Sequence, residues 1–224
     1  MILKMKNNNR AGTPVVADIP MAVQAKGRRK FHLLTFGVAV VLAWGLGTYA
    51  YIYFYPHLLY NTIQKAIVQR GIGAVSRGIP VNTLYAMPGL ASPATSTSNL
   101  MLTGTNHDTL YTVGWLDLGK GSQILHVPDM ADRYYSIEFV DPWDGSVFAY
   151  VGRRTTGTRA GDTLISGPGW QGTLPVGLTQ IASPDNAVLL IGRVLVESDG
   201  DLAIARGLEK QIRLIPLSQW QPGK

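Results

Sequence analysis

Two loops of this chain carry polar side chains of the kinds that bind ligands or transfer protons. Asn106 and Asp108 lie just before Tyr111 in the first loop, and Asp108 can act as a general base. Arg154 lies in the second loop between glycines and hydroxyl-bearing residues, where a guanidinium can bind a carboxylate or a phosphate. Two tryptophans in other turns can cover such a ligand. No catalytic residue is assigned, and the predicted ligand-binding residues are Asn106, Asp108, Tyr111, Arg154, Trp143 and Trp170.

Each candidate also has a structural interpretation. An Asp side chain commonly hydrogen-bonds to nearby backbone, so Asp108 can simply stabilise its own turn. Arg154 can pair with an acidic residue of the same domain, such as Glu138 or Asp141. Trp170 can fill one end of a hydrophobic core, which is the commoner role of a large aromatic side chain. The sequence leaves these alternatives open.

The common signatures of catalysis and metal binding are missing from the sequence. It contains no Gly-x-Ser-x-Gly elbow, no phosphate-binding Gly-Lys-Ser/Thr loop and no His-Glu-x-x-His pair. With no Cys, the chain has no thiol nucleophile and no thiolate zinc site. Two histidines, His107 and His126, do not make a metal site without a convergent cluster of carboxylates, and His107 is interpreted as a surface residue of its loop. The stretch 141–145 is interpreted as an Asp-initiated turn, because calcium requires six or more oxygen ligands. We predict no metal and no cofactor.

The positive charge of the chain is confined to its beginning. Residues 1–30 contain seven Lys or Arg and a single Asp, which accounts for the whole net charge of +6. The remaining residues are balanced in charge. A nucleic-acid-binding domain needs a basic surface, so this distribution argues against nucleic acid as a partner.

An apolar stretch from Phe31 to Tyr55 contains no charged residue. A helix needs about 20 residues to cross the roughly 30 Å of bilayer hydrocarbon, so this stretch predicts a transmembrane helix. Basic residues at 26–30 precede it and four tyrosines crowd its other end. The positive-inside rule therefore places the N-terminus in the cytoplasm and the C-terminal region outside. A cleaved signal peptide is the main alternative, but its apolar core is usually only about 7–15 residues long.

The residues after 80 show the pattern of a β-sandwich that would hold the candidate residues. Short runs with period-two alternation are separated by turns rich in Gly, Pro and Asp. The run 187–196 is almost entirely apolar, which predicts a central strand covered on both faces. The chain then changes to helical spacing at Leu202 and is expected to keep it until Pro216. The predicted strands are Leu100–Thr103, Leu110–Asp117, Gln123–Val127, Arg133–Val140, Ser146–Val151, Asp162–Ser166 and Ala187–Val196.

These elements predict five parts of the chain. A disordered, basic cytoplasmic tail (1–30) precedes the transmembrane helix (31–55). A membrane-proximal helix and linker (56–80), which holds the domain away from the membrane or lies on its surface, leads to the β-domain (81–218) and a short tail (219–224).

The β-region also resembles a bacterial family known as domain of unknown function 1254, over roughly Val81 to Leu217. The resemblance implies an immunoglobulin-like sandwich and a place in the inner membrane with a periplasmic domain, and it implies no reaction. His107 departs from the family, where a second Asn is common at this position. The matching motifs are Asn106-x-Asp108-Thr109-Leu110-Tyr111, Trp115-Leu116-Asp117-Leu118, Val127-Pro128-Asp129, Arg133-Tyr134-Tyr135, Gly152-x-Arg154-Thr155-Thr156-Gly157, Gly167-Pro168-Gly169-Trp170-x-Gly172 and Ile191-Gly192-Arg193.

Three functions follow as hypotheses. Larger members of this family carry a second domain, of unknown function 1214, which is not found in this sequence. The favoured hypothesis is therefore an interaction module that pairs with a separate protein of the 1214 type. The alternative is a periplasmic small-ligand binder or hydrolase-like enzyme, whose site lies near Asn106, Asp108, Tyr111 and Arg154. The third hypothesis is a structural envelope protein without a ligand.

Overall fold

The structure, a computed structural model, describes residues 21–71, 78–92 and 105–222, with the backbone alone for 21–28. Over these residues the chain is mainly β, with nine strands in two sheets, one long helix before them and one short helix near the C-terminus. The predicted β-rich fold with a helix at each end is confirmed. The predicted strand Leu100–Thr103 lies outside the described residues.

The strands form a five-stranded and a four-stranded sheet, in the orders β1-β2-β8-β4-β5 and β7-β6-β3-β9. All neighbours are antiparallel except β6 and β7, which are parallel because the connection 167–178 carries the chain back along the sheet before β7 begins. In chain order the strands are β1 (Thr83–Ala86), β2 (Thr109–Asp117), β3 (Gln123–Val127), β4 (Tyr135–Val140), β5 (Val147–Gly152), β6 (Gly161–Ser166), β7 (Thr179–Ala182), β8 (Ala187–Leu195) and β9 (Arg213–Pro216).

The inner core lies between the two sheets. The alternation predicted for β4 is confirmed, since Tyr135, Ile137 and Phe139 all point into this core. The apolar run 187–196 forms the middle strand of the five-stranded sheet, as predicted, and contributes residues to both faces. Burying such side chains is the main force that holds the sheets together.

The long helix, α1 (Met21–Arg70), runs through Pro56, where the sequence predicts a break between two helices. Proline removes one backbone hydrogen bond and crowds the carbonyl four residues earlier, but the helix continues past it. It ends at Gly71, which adopts a φ of 85° and donates its N–H to the Ile67 carbonyl at 2.9 Å. Part of the predicted tail, 21–30, is therefore helical, while residues 1–20 lie outside the described residues.

The surroundings of α1 change along its length. The side chains at 31–55 are all exposed, and Arg29–Arg70 is long and apolar enough to cross a membrane. Beyond Pro56 one side of the helix packs on the outer face of the five-stranded sheet, so this part is docked on the domain rather than a free spacer. Its half-buried and buried residues Tyr60, Ile63 and Ile67 join the outer core, whose buried members are Ile67, Ile79, Val113, Trp115, Val140 and Leu189.

The C-terminal helix is shorter than the sequence predicts. Helix α2 spans Leu202–Glu209 and is followed by β9, which pairs with β3. Ile212, predicted on the helix, lies after it but is still buried in the inner core. Pro216 ends β9 rather than the helix, because an edge strand tolerates a proline at a position that donates no ladder hydrogen bond. Trp220, predicted in the tail, donates a hydrogen bond to Asp162 at 2.8 Å.

Candidate functional site

Four of the six predicted ligand-binding residues lie at one end of the five-stranded sheet, here called the Arg154 end (loops 105–108, 131–134 and 153–160). The loops of Asp108 and Arg154 are linked across this end by backbone hydrogen bonds. The Val196 N–H donates to Asp108, the Leu195 N–H to Tyr134, and the N–H of Arg153, next to Arg154, to Tyr135. Three strand spacings of about 4.8 Å separate the two backbones by roughly 14 Å. Asp108 and Arg154 thus share one end of the domain, too far apart for direct contact of their backbones.

The two predicted tryptophans lie at the opposite end, here called the Trp143 end (loops 118–122, 141–146 and 167–172). Trp143 follows β4 and packs against α1, with its ring centroid 4.3 Å from that of His57. Trp170 follows β6, and its indole lies over Gly172, where an added Cβ would come within 2.3 Å of the ring. The six predicted residues therefore do not converge on one site.

The centre of the Arg154 end is Arg193, which is not among the predicted ligand-binding residues. Arg193 on β8 lies directly opposite Tyr111 on β2, and its guanidinium is 5.4 Å from the Tyr111 ring centroid. Its Nε donates to the Tyr111 hydroxyl at 3.4 Å, and its Nη1 forms an ion pair with Glu138 on β4. The Asn106 backbone N–H also donates to the Tyr111 hydroxyl, at 2.8 Å. Burial lowers the pKa of Arg193, but its bonds to Tyr111 and Glu138 outweigh burial and raise the pKa overall.

A cleft of about 350 Å³ opens beside this ion pair. Glu138 is already neutralised by Arg193, whereas Arg154 is exposed and enters none of the ion pairs among the described residues. The three side chains together carry one net positive charge, next to hydroxyls and an aromatic ring. The cleft is therefore suited to a small anion with an apolar part. It is lined by Tyr134, Tyr135, Ser136, Glu138, Tyr150, Gly152, Arg154 and Thr155.

The structural alternatives for the loop residues are resolved individually. Asp108 accepts a hydrogen bond from the Val196 N–H at 2.7 Å through its backbone carbonyl oxygen, and not through the side chain that was expected to stabilise the turn. His107 is exposed, with its Nδ1 2.9 Å from the Ala91 carbonyl. The stretch 141–145 is the predicted Asp-initiated turn, because the Asp141 carboxylate accepts from the Trp143 N–H at 2.8 Å. The alternative pairing of Arg154 with Glu138 or Asp141 is not among the ion pairs of the described residues, and Glu138 pairs with Arg193 instead.

Two further polar clusters lie away from the cleft. Glu209 on α2 is buried against the inner face of β2, where Thr112 donates to its Oε1 at 3.0 Å. Burial raises the pKa of Glu209 to about 7. On the four-stranded sheet, Asp162 lies 2.6 Å from the Nδ1 of His126 and accepts from the Trp220 indole. Within the described parts of the chain, no group of three or more His, Asp or Glu side chains could hold a metal ion.

The comparisons with known proteins give a family and a fold. The family model for proteins of unknown function DUF1254 matches residues 81–216. The VPA0106 protein from Vibrio parahaemolyticus is similar in structure, with a TM-score of 0.59 and 26% sequence identity, and the match covers 76% of this chain and 37% of that one. A weaker match, to an uncharacterised protein from Burkholderia cenocepacia, has a TM-score of 0.38 and 13% identity and covers 62% and 36% of the two chains. No curated protein sequence matches significantly. This chain thus spans little more than a third of the length of either solved protein.

Proposed function

The chain belongs to the family of proteins of unknown function DUF1254, and we propose that it is a membrane-anchored domain that binds a small organic anion outside the cytoplasm. The single observation that supports the binding function is that the exposed Arg154 lines a cleft in which Glu138 is already paired with Arg193.

The location rests on α1 and its flanking residues. The stretch from Phe31 to Tyr55 is apolar and exposed, so a lipid environment would stabilise it. The basic residues at 26–30 favour a cytoplasmic N-terminus, and the tyrosines at 49–55 fit the outer interface of the membrane. We place the N-terminus in the cytoplasm, α1 in the inner membrane and the β-domain in the periplasm.

The chemistry of the cleft favours binding over hydrolysis. A guanidinium binds a carboxylate or phosphate through two parallel hydrogen bonds, and the hydroxyls of Ser136 and Tyr150 can donate to the same anion. The Tyr150 ring offers an apolar surface to the rest of the ligand. The described residues that line the cleft include no His or Cys to act as a nucleophile or as the usual general base. The ligand is therefore expected to be a small carboxylate or phosphate ester.

Thermal unfolding of the full chain in detergent micelles tests this function. Benzoate and phenyl phosphate should raise the melting temperature, because a ligand that binds only the folded state stabilises it. Benzyl alcohol, the uncharged analogue, should not. Arg154→Gln should abolish the effect of the anions. Arg153→Gln is the matched control, because Arg153 is an equally exposed neighbour that does not line the cleft. Anions that shift the wild type and Arg154→Gln equally, or shift neither, would refute the proposal.

The interaction module is kept as a second candidate because of the surface near β7. Val176 is 98% exposed and Leu174 is exposed beside it, both just before the exposed edge strand β7. Exposed apolar groups beside an unpaired strand edge favour contact with another polypeptide. The partner expected from the sequence is a separate protein carrying the domain of unknown function 1214.

Co-purification from detergent tests this second candidate. A partner of that type should remain bound to the wild type and be lost with Val176→Asp. Ile204→Asp, at another exposed apolar residue on α2, should retain it. Equal retention by all three proteins, or no partner with any of them, would argue against this surface.

A further inference from the structure

We infer that the β4–β5 hairpin of the domain lies in the membrane–water interface and contacts phospholipid directly. The membrane-facing patch is formed by Trp143 and Val147 of the hairpin together with Leu58 of α1. This inference rests on the proposed membrane anchor and adds a second point of contact between the domain and the lipid.

The hairpin touches α1 at the end of the predicted span. The Trp143 ring centroid is 5.8 Å from that of Tyr53, 6.5 Å from that of Phe54 and 4.3 Å from that of His57. Tyr53 and Phe54 belong to the aromatic end of the apolar stretch, where transmembrane helices meet the polar headgroups. Trp143 extends this aromatic belt from the helix onto the domain.

The turn that carries Trp143 is fixed by its own hydrogen bonds. The Asp141 carboxylate accepts from the Trp143 N–H, and the Gly145 N–H donates to the Asp141 carbonyl, both at 2.8 Å. Gly145 has a φ of 77°, and an added Cβ would lie 3.0 Å from the Tyr60 hydroxyl. A glycine is therefore required both for the turn and for its close approach to α1. Trp143 is held at this level of the helix by the turn.

The membrane-facing patch is apolar and open. Trp143 and Val147 are each 36% exposed and Leu58 is 62% exposed. Trp and Tyr prefer the interface because their rings are apolar while their N–H and O–H groups stay hydrated. The headgroup layer is about 5–7 Å thick on each side of the hydrocarbon, and three helical residues after Tyr55 rise only about 4.5 Å. Trp143, which lies against His57, is thus within reach of the lipid headgroups. Lipid, rather than a protein, is therefore the molecule expected to cover the patch.

Labelling of single cysteines tests the contact in the full chain, which has no cysteine of its own. Val147→Cys would place an environment-sensitive fluorophore on the patch, and Ser146→Cys, in a separate protein, would place one at the exposed residue beside it. Leu42→Cys labels the middle of the apolar helix. Val176→Cys labels the opposite end of the domain, since its neighbour Gly177 lines a cavity with Thr155 and Arg159. Each protein is reconstituted in phosphatidylcholine vesicles with or without brominated acyl chains.

The expected loss of fluorescence in brominated vesicles is largest at position 42, intermediate at 146 and 147, and zero at 176. Quenching at 42 with none at 146 and 147 would overturn the inferred contact while leaving the anchor intact. No quenching at 42 would overturn the anchor itself. Trp143→Ala should reduce quenching at 147, and Trp143→Tyr, which keeps an interfacial aromatic, should restore most of it.

Discussion

The two faces of the five-stranded sheet are built from the same strands but follow different rules. Side chains that point inward from β2, β8 and β4 are almost all apolar, and the other sheet and α2 cover them. Side chains that point outward change from apolar to polar or charged along each strand. On β8 the outward series is Leu189, Ile191 and Arg193, and on β4 it is Val140, Glu138 and Ser136. The inner face is one continuous core, whereas the outer face is divided into a core and a polar site.

The division of the outer face follows the reach of α1. Leu189 and Val140 lie in the outer core under the helix, while Arg193 and Glu138 lie beyond that core and pair with each other. An apolar residue at Arg193 would leave a hydrophobic surface in water, and a charge at Leu189 would be buried without a partner. The alternation of apolar and polar residues along a strand thus indicates which face is buried. The point at which the residues of one face change from apolar to charged indicates how far the covering element extends.

The largest expected effect tests whether the outer core stabilises the domain as the inner core does. Trp115→Ala under α1 should lower the free energy of unfolding by about 3–5 kcal/mol, and Leu190→Ala in the inner core by about 2–5 kcal/mol. Both residues are almost completely buried. Urea unfolding followed by circular dichroism measures the losses. Trp115→Phe is the control and should lose much less, because it keeps the ring packing and removes an indole N–H that has no partner among the described residues. A loss below about 1 kcal/mol for Trp115→Ala would mean that α1 contributes little to the domain.

The next effect concerns Glu209, which is buried at the inner face. Burial raises its pKa to about 7, against smaller lowering effects of the Thr112 hydrogen bond and of Arg206 and Lys210. The folded protein therefore keeps a proton that the unfolded chain loses near its ordinary pKa of 4.5. Stability should be greatest below that pKa and should fall as the pH rises towards and through about 7. The total loss is of the order of 3 kcal/mol.

Urea unfolding of wild type and Glu209→Gln between pH 4 and 8 measures this dependence. The glutamine variant keeps the volume and the acceptor for Thr112 but cannot ionise, so its stability should decline less with rising pH. Parallel curves for the two proteins would show that Glu209 does not titrate with a raised pKa.

A smaller effect is expected at the polar part of the outer face. Arg193→Met leaves Glu138 without its partner and should cost about 1–2 kcal/mol, less than a fully buried pair because both side chains are partly exposed. The double variant Arg193→Met with Glu138→Gln should recover part of this loss. A double-mutant cycle measures the coupling. Strictly additive losses would mean that the ion pair contributes nothing to stability.

The smallest effect should be at Arg154. This side chain is exposed and outside the ion pairs of the described residues, so Arg154→Gln should change stability by no more than about 0.5 kcal/mol. The same substitution should abolish stabilisation by benzoate. If the substitution removes ligand binding and leaves stability unchanged, the ligand site lies on the part of the outer face that α1 does not cover.

The sequence predicts the strands that alternate or run long, and it misses those defined only by their neighbours. The alternation of 133–140 and the apolar run 187–196 identify β4 and β8 because their patterns are contained in a single segment. Strands β1, β7 and β9 have four residues each, too few for a period, and they exist because an edge of β2, β6 or β3 is available for pairing.

The candidate site is predicted in part for the same reason. Asn106, Tyr111 and Arg154 are recognised from their local loops, and the structure places them at one end of the domain. The Arg193–Glu138 pair joins residues 55 positions apart, so no local pattern reveals it. A single Arg in the otherwise apolar run 187–196 was the available signal, since a charge in a covered strand requires a partner. The separation of Trp143 and Trp170 from the other candidates depends on strand order, which sequence spacing does not give.

The docking of the last turns of α1 on the sheet has a consequence for any cleavage that releases the domain from its anchor. A cut before Pro56 would free a particle that keeps Tyr60, Ile63 and Ile67 as its lid. A cut in the linker after Gly71 would strip that lid and leave Val113, Trp115 and Leu189 facing water. Cleavage before Pro56 would yield a soluble, intact domain, whereas cleavage after Gly71 would yield a domain that aggregates. The last turns of α1 are thus both the link to the membrane anchor and a structural part of the domain.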